Sequence, residues 1–210
     1  MQHTRHTISG EVLAVSATWD EYLQQYAEGH AEWVEGTVVR LSPVTRTHNA
    51  LVLLLSTVLK LYLEATDEGD LFLEPFVMRL PNISAREPDL QVVLSANSGR
   101  IHDTYVDGPA DLVIEIVSPE SDTRDRVEKF SEYERGGVGE YWILDPKHRE
   151  ALFYQRRDGV FLRASLNESG AIVCAVLPRL VLPVDWLWQE PRLTTAQIQQ
   201  AVQAMLDSAS

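Results

Sequence analysis

The chain has 210 residues, 45% of them hydrophobic, and its 31 acidic side chains outnumber 18 basic ones for a formal net charge of -13. There is apolar material for one sizeable core and no composition break that divides it, so a single domain over residues 18–210 is expected behind a flexible segment, 1–17. The acidic balance disfavours a protein that holds nucleic acid through a general basic surface, though a local basic groove or carboxylates masked by a divalent cation escape that objection.

One cysteine, Cys174, excludes an internal disulfide. No Cys/His grouping has zinc-finger spacing, and Cys174 reads as a small buried hydrophobe within AIVCAVL. The run LVLLL is far shorter than the roughly 20 apolar residues that span a bilayer. The opening MQHTRHTISGEVLAVSAT lacks an apolar signal core. These features predict a soluble, cytoplasmic protein that does not engage a membrane.

In chain order, TWDEYLQQYAEG predicts a short amphipathic helix, with Thr18 as N-cap, Glu21 at the capping-box position and Gly29 as a stop. AEWVEGTVVRLSP alternates around Glu35-Gly36 and reads as a bent strand or a hairpin. From Arg46 to Ala65, Leu51, Leu54, Leu55, Val58, Leu59 and Tyr62 follow a helical period, so this helix should cover a sheet. LFLEPFVMRL and PDLQVVL read as strands separated by a polar loop containing Asn82 and Ser84, and SANSGRIHDTYVDGP as a second loop.

DLVIEIVSPES begins as a strand buried on both faces. TRDRVEKFSEYERGG then predicts a helix with Val127, Phe130 and Tyr133 on its apolar side and glycines at its end. EYWILDP reads as a strand stopped by Pro146, and ALFYQRRDGVFLRASL as a hairpin turning at Asp158-Gly159. AIVCAVL and RLVLPVDWLW complete the strands before a helix over TTAQIQQAVQAMLDSA. Hairpins mixed with strand–helix–strand units predict an α/β fold with a mixed central sheet flanked by helices and additional antiparallel hairpins.

The chemistry centres on Glu115. Strand alternation places Val113, Glu115 and Val117 on one face and Leu112, Ile114 and Ile116 on the other. An ionised carboxylate so placed must be protonated, paired with a cation, or bound to a metal. Asp89 follows Pro88, which stiffens strand entry. If the two strands are neighbours, Asp89 and Glu115 can converge on a hard cation such as Mg²⁺. Lys129, on the following helix, could then orient or deprotonate a water for phosphodiester hydrolysis.

The ordered pieces TWDEYL, AEWVEGTVVRLSP followed by His48, REPDL, GPADLVIEIVSPES, DRVEKFSEYERGGVGEYWILDP and LPRLVLPVDWLW resemble the PD-(D/E)XK nuclease superfamily. More narrowly, they resemble its Uma-two family of restriction-endonuclease-like proteins, over roughly residues 18–190. The lysine of the broader pattern, two positions after Glu115, is replaced here by Val117, and Lys129 matches the family variant with a helix-borne lysine.

The resemblance implies a restriction-endonuclease-like fold and a Mg²⁺- or Mn²⁺-dependent endonuclease acting on DNA as a homodimer. Asp89, Glu115 and the Ile116 carbonyl would hold the metal. Lys129 would serve the water, and Glu32, with Glu35 as neighbouring alternative, would assist. His48 and Asp125 would support the site or substrate.

Each residue also has a plainer reading. Asp125 and Lys129, four apart on a helix, could form only a surface ion pair. Asp89 could cap a turn, as Asp111 is expected to do after Gly108-Pro109. Glu32 could lie on an exposed strand face, and His48 could cap its helix. Tyr133 is expected to pack the helix, and Trp142, Trp186 and Trp188 to serve the core or an interface. Two rival functions remain open: a non-catalytic nuclease-fold module for self-association or partner binding, and a metal-free hydrolase with two carboxylates, in which Lys129 has no task.

Overall fold

The chain is seen in a computed structural model that describes residues 11–40, 44–118 and 124–208, excluding the side chains of Glu28, Arg124 and Asp125. Strand β1 (Glu11–Ala14) lies inside the segment expected to be flexible, yet it pairs antiparallel with β3. Helix α1 (Trp19–Gln25) starts with a complete capping box: the Glu21 N–H donates to Thr18 Oγ1 and the Thr18 N–H donates to Glu21. Strands β2 (Ala31–Val34) and β3 (Thr37–Arg40) form the expected hairpin. Its turn residues, Glu35 and Gly36, have φ of 46° and 87°, the left-handed pair that matches strand twist.

Helix α2 (Arg46–Thr66) is capped by Thr45, whose side chain accepts from the His48 N–H. Among the described residues it is the one helix long and apolar enough to cross a membrane. Its buried face, from Leu51 to Leu63, instead packs in the main core.

LFLEPFVMRL contains two strands, β4 (Gly69–Leu73) and β5 (Val77–Leu80), in different sheets. Pro75 lacks the N–H that would continue β4's ladder, and the chain crosses between sheets there. The polar loop after it contains a further strand, β6 (Ser84–Arg86), followed by β7 (Leu90–Leu94). The second expected loop contains β8 (Tyr105–Asp107). Strands β6 and β8 fall in expected loops because each is three residues long and within polar sequence, where alternation does not register.

Strand β9 (Leu112–Ile116) leads to a π-helical turn, Arg124–Lys129, and helix α3 (Phe130–Gly136). β10 (Glu140–Asp145), β11 (Glu150–Arg157) and β12 (Val160–Arg163) follow, then β13 (Ala171–Val173), β14 (Val181–Pro183) and helix α4 (Thr195–Ser208). RLVLPVDWLW supplies only the three-residue β14 before a short 3-10 turn, Val184–Leu187.

The expected mixed α/β fold is present, with its strands shared between two main sheets and a small antiparallel pair. One six-stranded sheet has the order β12-β11-β10-β9-β7-β4, a second has β1-β3-β2-β6-β5-β8, and β13 pairs with β14 alone. In the first, β9 lies parallel to β10 and antiparallel to β7. One of its faces packs with α2 and α4 through Leu90, Leu112, Ile114, Ile116 and Trp142. The other carries Val93, Val113, Val117, Tyr141 and Ile143 against Met78 and Leu80 of the second sheet and Tyr133 of α3. This is the two-faced burial that alternation in β9 predicts.

At the edge of the first sheet, Gly69 sits opposite Leu94. A Cβ there would fall 2.4 Å from the Val93 carbonyl oxygen. Gly69→Ala should therefore cost about 1–3 kcal/mol, read as a drop in Tm of roughly 2–4 °C per kcal/mol; an unchanged melting curve would show that the strand pair accommodates the methyl by shifting.

Candidate functional site

Because β7 and β9 run antiparallel, with Leu90 facing Ile114, the residue entering β7 lies beside the end of β9. The Ile116 N–H donates to Asp89 Oδ2 at 2.6 Å, and Asp89 Oδ1 lies 2.9 Å from His48 Nε2. His48 belongs to the first turn of α2 and is buried, so it braces Asp89 from the helix side and is no solvent-facing cap.

Glu115 projects from the opposite face of β9. Its Oε1 accepts from the Tyr133 hydroxyl at 2.7 Å and meets Lys129 Nζ at 2.8 Å. Lys129 is only 3% exposed and also lies 3.3 Å from Glu32 Oε1. Burial pushes the Tyr133 hydroxyl pKa well up, and the Glu115 carboxylate adds to it, so Tyr133 remains a donor to Glu115.

Of the expected apolar side, Tyr133 is buried and Phe130 packs against the core, but Val127 does not, and charged residues share the inward face. Val127 is 62% exposed, while Lys129, Glu132 and Tyr133 are buried. The wider π turn precedes α3, and from Lys129 the positions three and four residues on share one face. Asp125 has a side chain outside the described residues.

Glu32, fully buried on β2, belongs to the same cluster. Its Oε2 meets Arg86 Nη1 at 2.8 Å, and Arg86 grips Glu132 with Nε and Nη2 at 2.8 and 2.6 Å. Glu128 Oε2 lies 3.9 Å from Arg86. Burial alone would push the Arg86 guanidinium down, but Glu32 and Glu132 hold it well above its ordinary range. Glu35, the alternative to Glu32, lies in the hairpin turn.

Three further residues flank this cluster. His30 Nδ1 is 3.3 Å from Glu74 Oε1 and 3.8 Å from Glu87 Oε2. Burial pushes the Glu87 carboxyl up to about 9, with Glu32 and Glu74 adding to the effect. The Glu74 carboxyl is also raised, by burial and then by Asp89. Carboxyl groups in this region thus outnumber the cationic Arg86 and Lys129, and burial together with the neighbouring acids holds Glu74 and Glu87 toward their protonated forms. A divalent cation suits this excess and these hard oxygen donors.

Sequence reasoning passed over Arg86, Glu87, Glu132, Glu74 and His30. Glu132 could have been found, because it shares a helix face with Lys129 and Tyr133. Arg86 and Glu87 stand directly before Pro88-Asp89, but the segment reads as a loop. His30 and Glu74 carry no local signal, since they meet only through the pairing of distant strands.

The sequence profile of the Uma2 family, described as "Putative restriction endonuclease", matches residues 19–185. The chain belongs to the Uma2 family. As a Uma2 protein it carries a restriction-endonuclease-like fold, and its family implies a divalent metal ion in general. A crystal structure described as "a putative nuclease belonging to DUF820 from Anabaena variabilis ATCC 29413" superposes with a TM-score of 0.63 at 16% identity. It covers 87% of this chain and 97% of its own, a likeness of fold. No curated protein matches.

Arg86 offers a test of how the cluster is held. Arg86→Met would leave Glu32 and Glu132 buried without their guanidinium, at a cost of about 3–5 kcal/mol, measured as a loss in urea unfolding. A loss under about 1 kcal/mol would mean that water or Lys129 takes over its role.

Proposed function

We propose that this Uma2 protein is a metal-dependent endonuclease that hydrolyses phosphodiester bonds in DNA. Two contacts at the end of β9 support this reading: the Ile116 N–H donates to Asp89, and Lys129 meets the neighbouring Glu115. Asp89, Glu115 and the Ile116 carbonyl would hold Mg²⁺ or Mn²⁺. The bound cation supplies Lewis acidity toward the scissile phosphate.

The chain's own groups provide the rest. Lys129, held as an ammonium, donates a hydrogen bond that orients the attacking water. Glu32 keeps the Lys129 ammonium in place from the side opposite Glu115, and Arg86 in turn holds Glu32. His48 holds Asp89 in one rotamer. A lysine this close to the carboxylates disfavours a two-carboxylate glycosidase mechanism, which gives it no task. One such cluster cuts one strand, so cleavage of duplex DNA would engage a homodimer.

Three measurements test this reading. Glu115→Gln should abolish Mn²⁺ binding in a calorimetric titration while leaving a cooperative unfolding transition, because it removes one of the metal-holding charges. Normal Mn²⁺ affinity would remove Glu115 from the metal site. Lys129→Ala should bind Mn²⁺ but cleave plasmid DNA about 10²–10⁴-fold more slowly, and undiminished cleavage would make Lys129 a structural counter-ion only. DNA binding should weaken steeply as salt rises, despite the net charge of -13; binding indifferent to salt would point to another ligand and favour a non-catalytic module.

A further inference from the structure

Among the described residues, His30, Glu74 and Glu87 are the one group of three ligating side chains whose donor atoms all lie within 4.8 Å of one another. They come from separate parts of the chain. His30 ends the turn before β2 in a left-handed conformation, with φ of 53°. Glu74 follows β4, where its N–H donates to the Asp89 carbonyl. Glu87 stands between β6 and Asp89.

We propose that these three side chains form a second divalent-cation site, of transition-metal character, distinct from the Asp89–Glu115 pair.

Glu87 points to a ligand independently of the clustering. Its side chain is 0% exposed, neither carboxylate oxygen accepts a well-aligned hydrogen bond, and the Ala31 backbone N–H offers only a looser contact. A buried carboxylate left so is costly. The nearest cationic candidate, His30, stands 3.8 Å away, beyond hydrogen-bond reach, and spends its closer approach of 3.3 Å on Glu74. An ion among the three would meet all of them at once. The two separations bracket the ligand–ligand edge of a tetrahedral zinc site, about 3.3–3.6 Å for bonds of 2.0–2.2 Å.

The donor set also selects the metal. Imidazole with carboxylates suits Zn²⁺ or Co²⁺, whereas Mg²⁺ and Mn²⁺ prefer oxygen donors. His30 is 57% exposed and Glu74 19%, so the fourth position faces solvent and is open to water or to a ligand oxygen. This site goes beyond the nuclease reading and does not require it.

The test uses the tag-free full chain, stripped of metal and titrated with Co²⁺ and Zn²⁺ by calorimetry, with the Co²⁺ d–d absorption spectrum recorded. An equivalent of Co²⁺ with the strong visible absorption of low coordination should bind the parent and the Asp89→Asn, Glu115→Gln double variant alike. His30→Ala, an exposed position that leaves the core intact, should weaken that equivalent at least tenfold and remove its spectrum. Glu87→Gln should do the same.

Unaltered Co²⁺ affinity and spectrum in His30→Ala would overturn the proposal. So would loss of all Co²⁺ and Zn²⁺ binding in the Asp89→Asn, Glu115→Gln variant, which would leave His30, Glu74 and Glu87 as a simple ion pair beside one metal site. Failure of the nuclease reading is seen separately, as Mn²⁺ binding that ignores Glu115→Gln alone.

Discussion

A carboxylate in the middle of a central strand has to be compensated, and the way Glu115 is compensated organises the surrounding structure. Lys129 and Tyr133 reach it from one helix face. Lys129 also contacts Glu32, Glu32 contacts Arg86, and Arg86 grips Glu132, one turn along from Lys129. The chain of alternating charges closes on α3. Each member satisfies its neighbour in a region shielded from water, where an unpaired charge would cost several kcal/mol. The second sheet, through Glu32 and Arg86, is thereby tied to the helix that follows the first.

This arrangement separates two kinds of buried acid. Glu32, Glu115 and Glu132 have cationic partners and act as framework. Asp89 is held by a backbone N–H and a histidine, and Glu87 accepts no well-aligned hydrogen bond. On the His30 side, burial and the neighbouring acids hold Glu74 and Glu87 toward their neutral forms, and a divalent cation placed there would favour the carboxylates instead. The acidic net charge of the whole chain says nothing about this, because it averages over the surface and a site depends on local excess.

The amphipathic period of α2, the capping box of α1, the Asp158-Gly159 hairpin and the two-faced burial of β9 were all legible from local pattern. So was the value of Glu115, because a lone acid in an aliphatic strand demands a partner. The three-residue strands β6 and β8 were not legible, nor was the division of LFLEPFVMRL between two sheets. On the α3 side the apolar spacing holds for Phe130 and Tyr133 but not for exposed Val127, and it gives no sign that Lys129 and Glu132 are buried as well. Hydrophobic periodicity cannot anticipate a helix whose inner face is charged to serve a buried acid.

By itself, the sequence determined membership of the Uma2 family, the main helices and central strands, and the need to neutralise Glu115, since these depend on local spacing and on the ordered run of motifs. Only the tertiary structure decided that the neutralising groups are Lys129 and Tyr133, that Arg86 bridges Glu32 and Glu132, and that His30, Glu74 and Glu87 converge. Those contacts join residues as much as 57 positions apart, and no local period encodes the pairing of distant strands that brings them within a few ångströms.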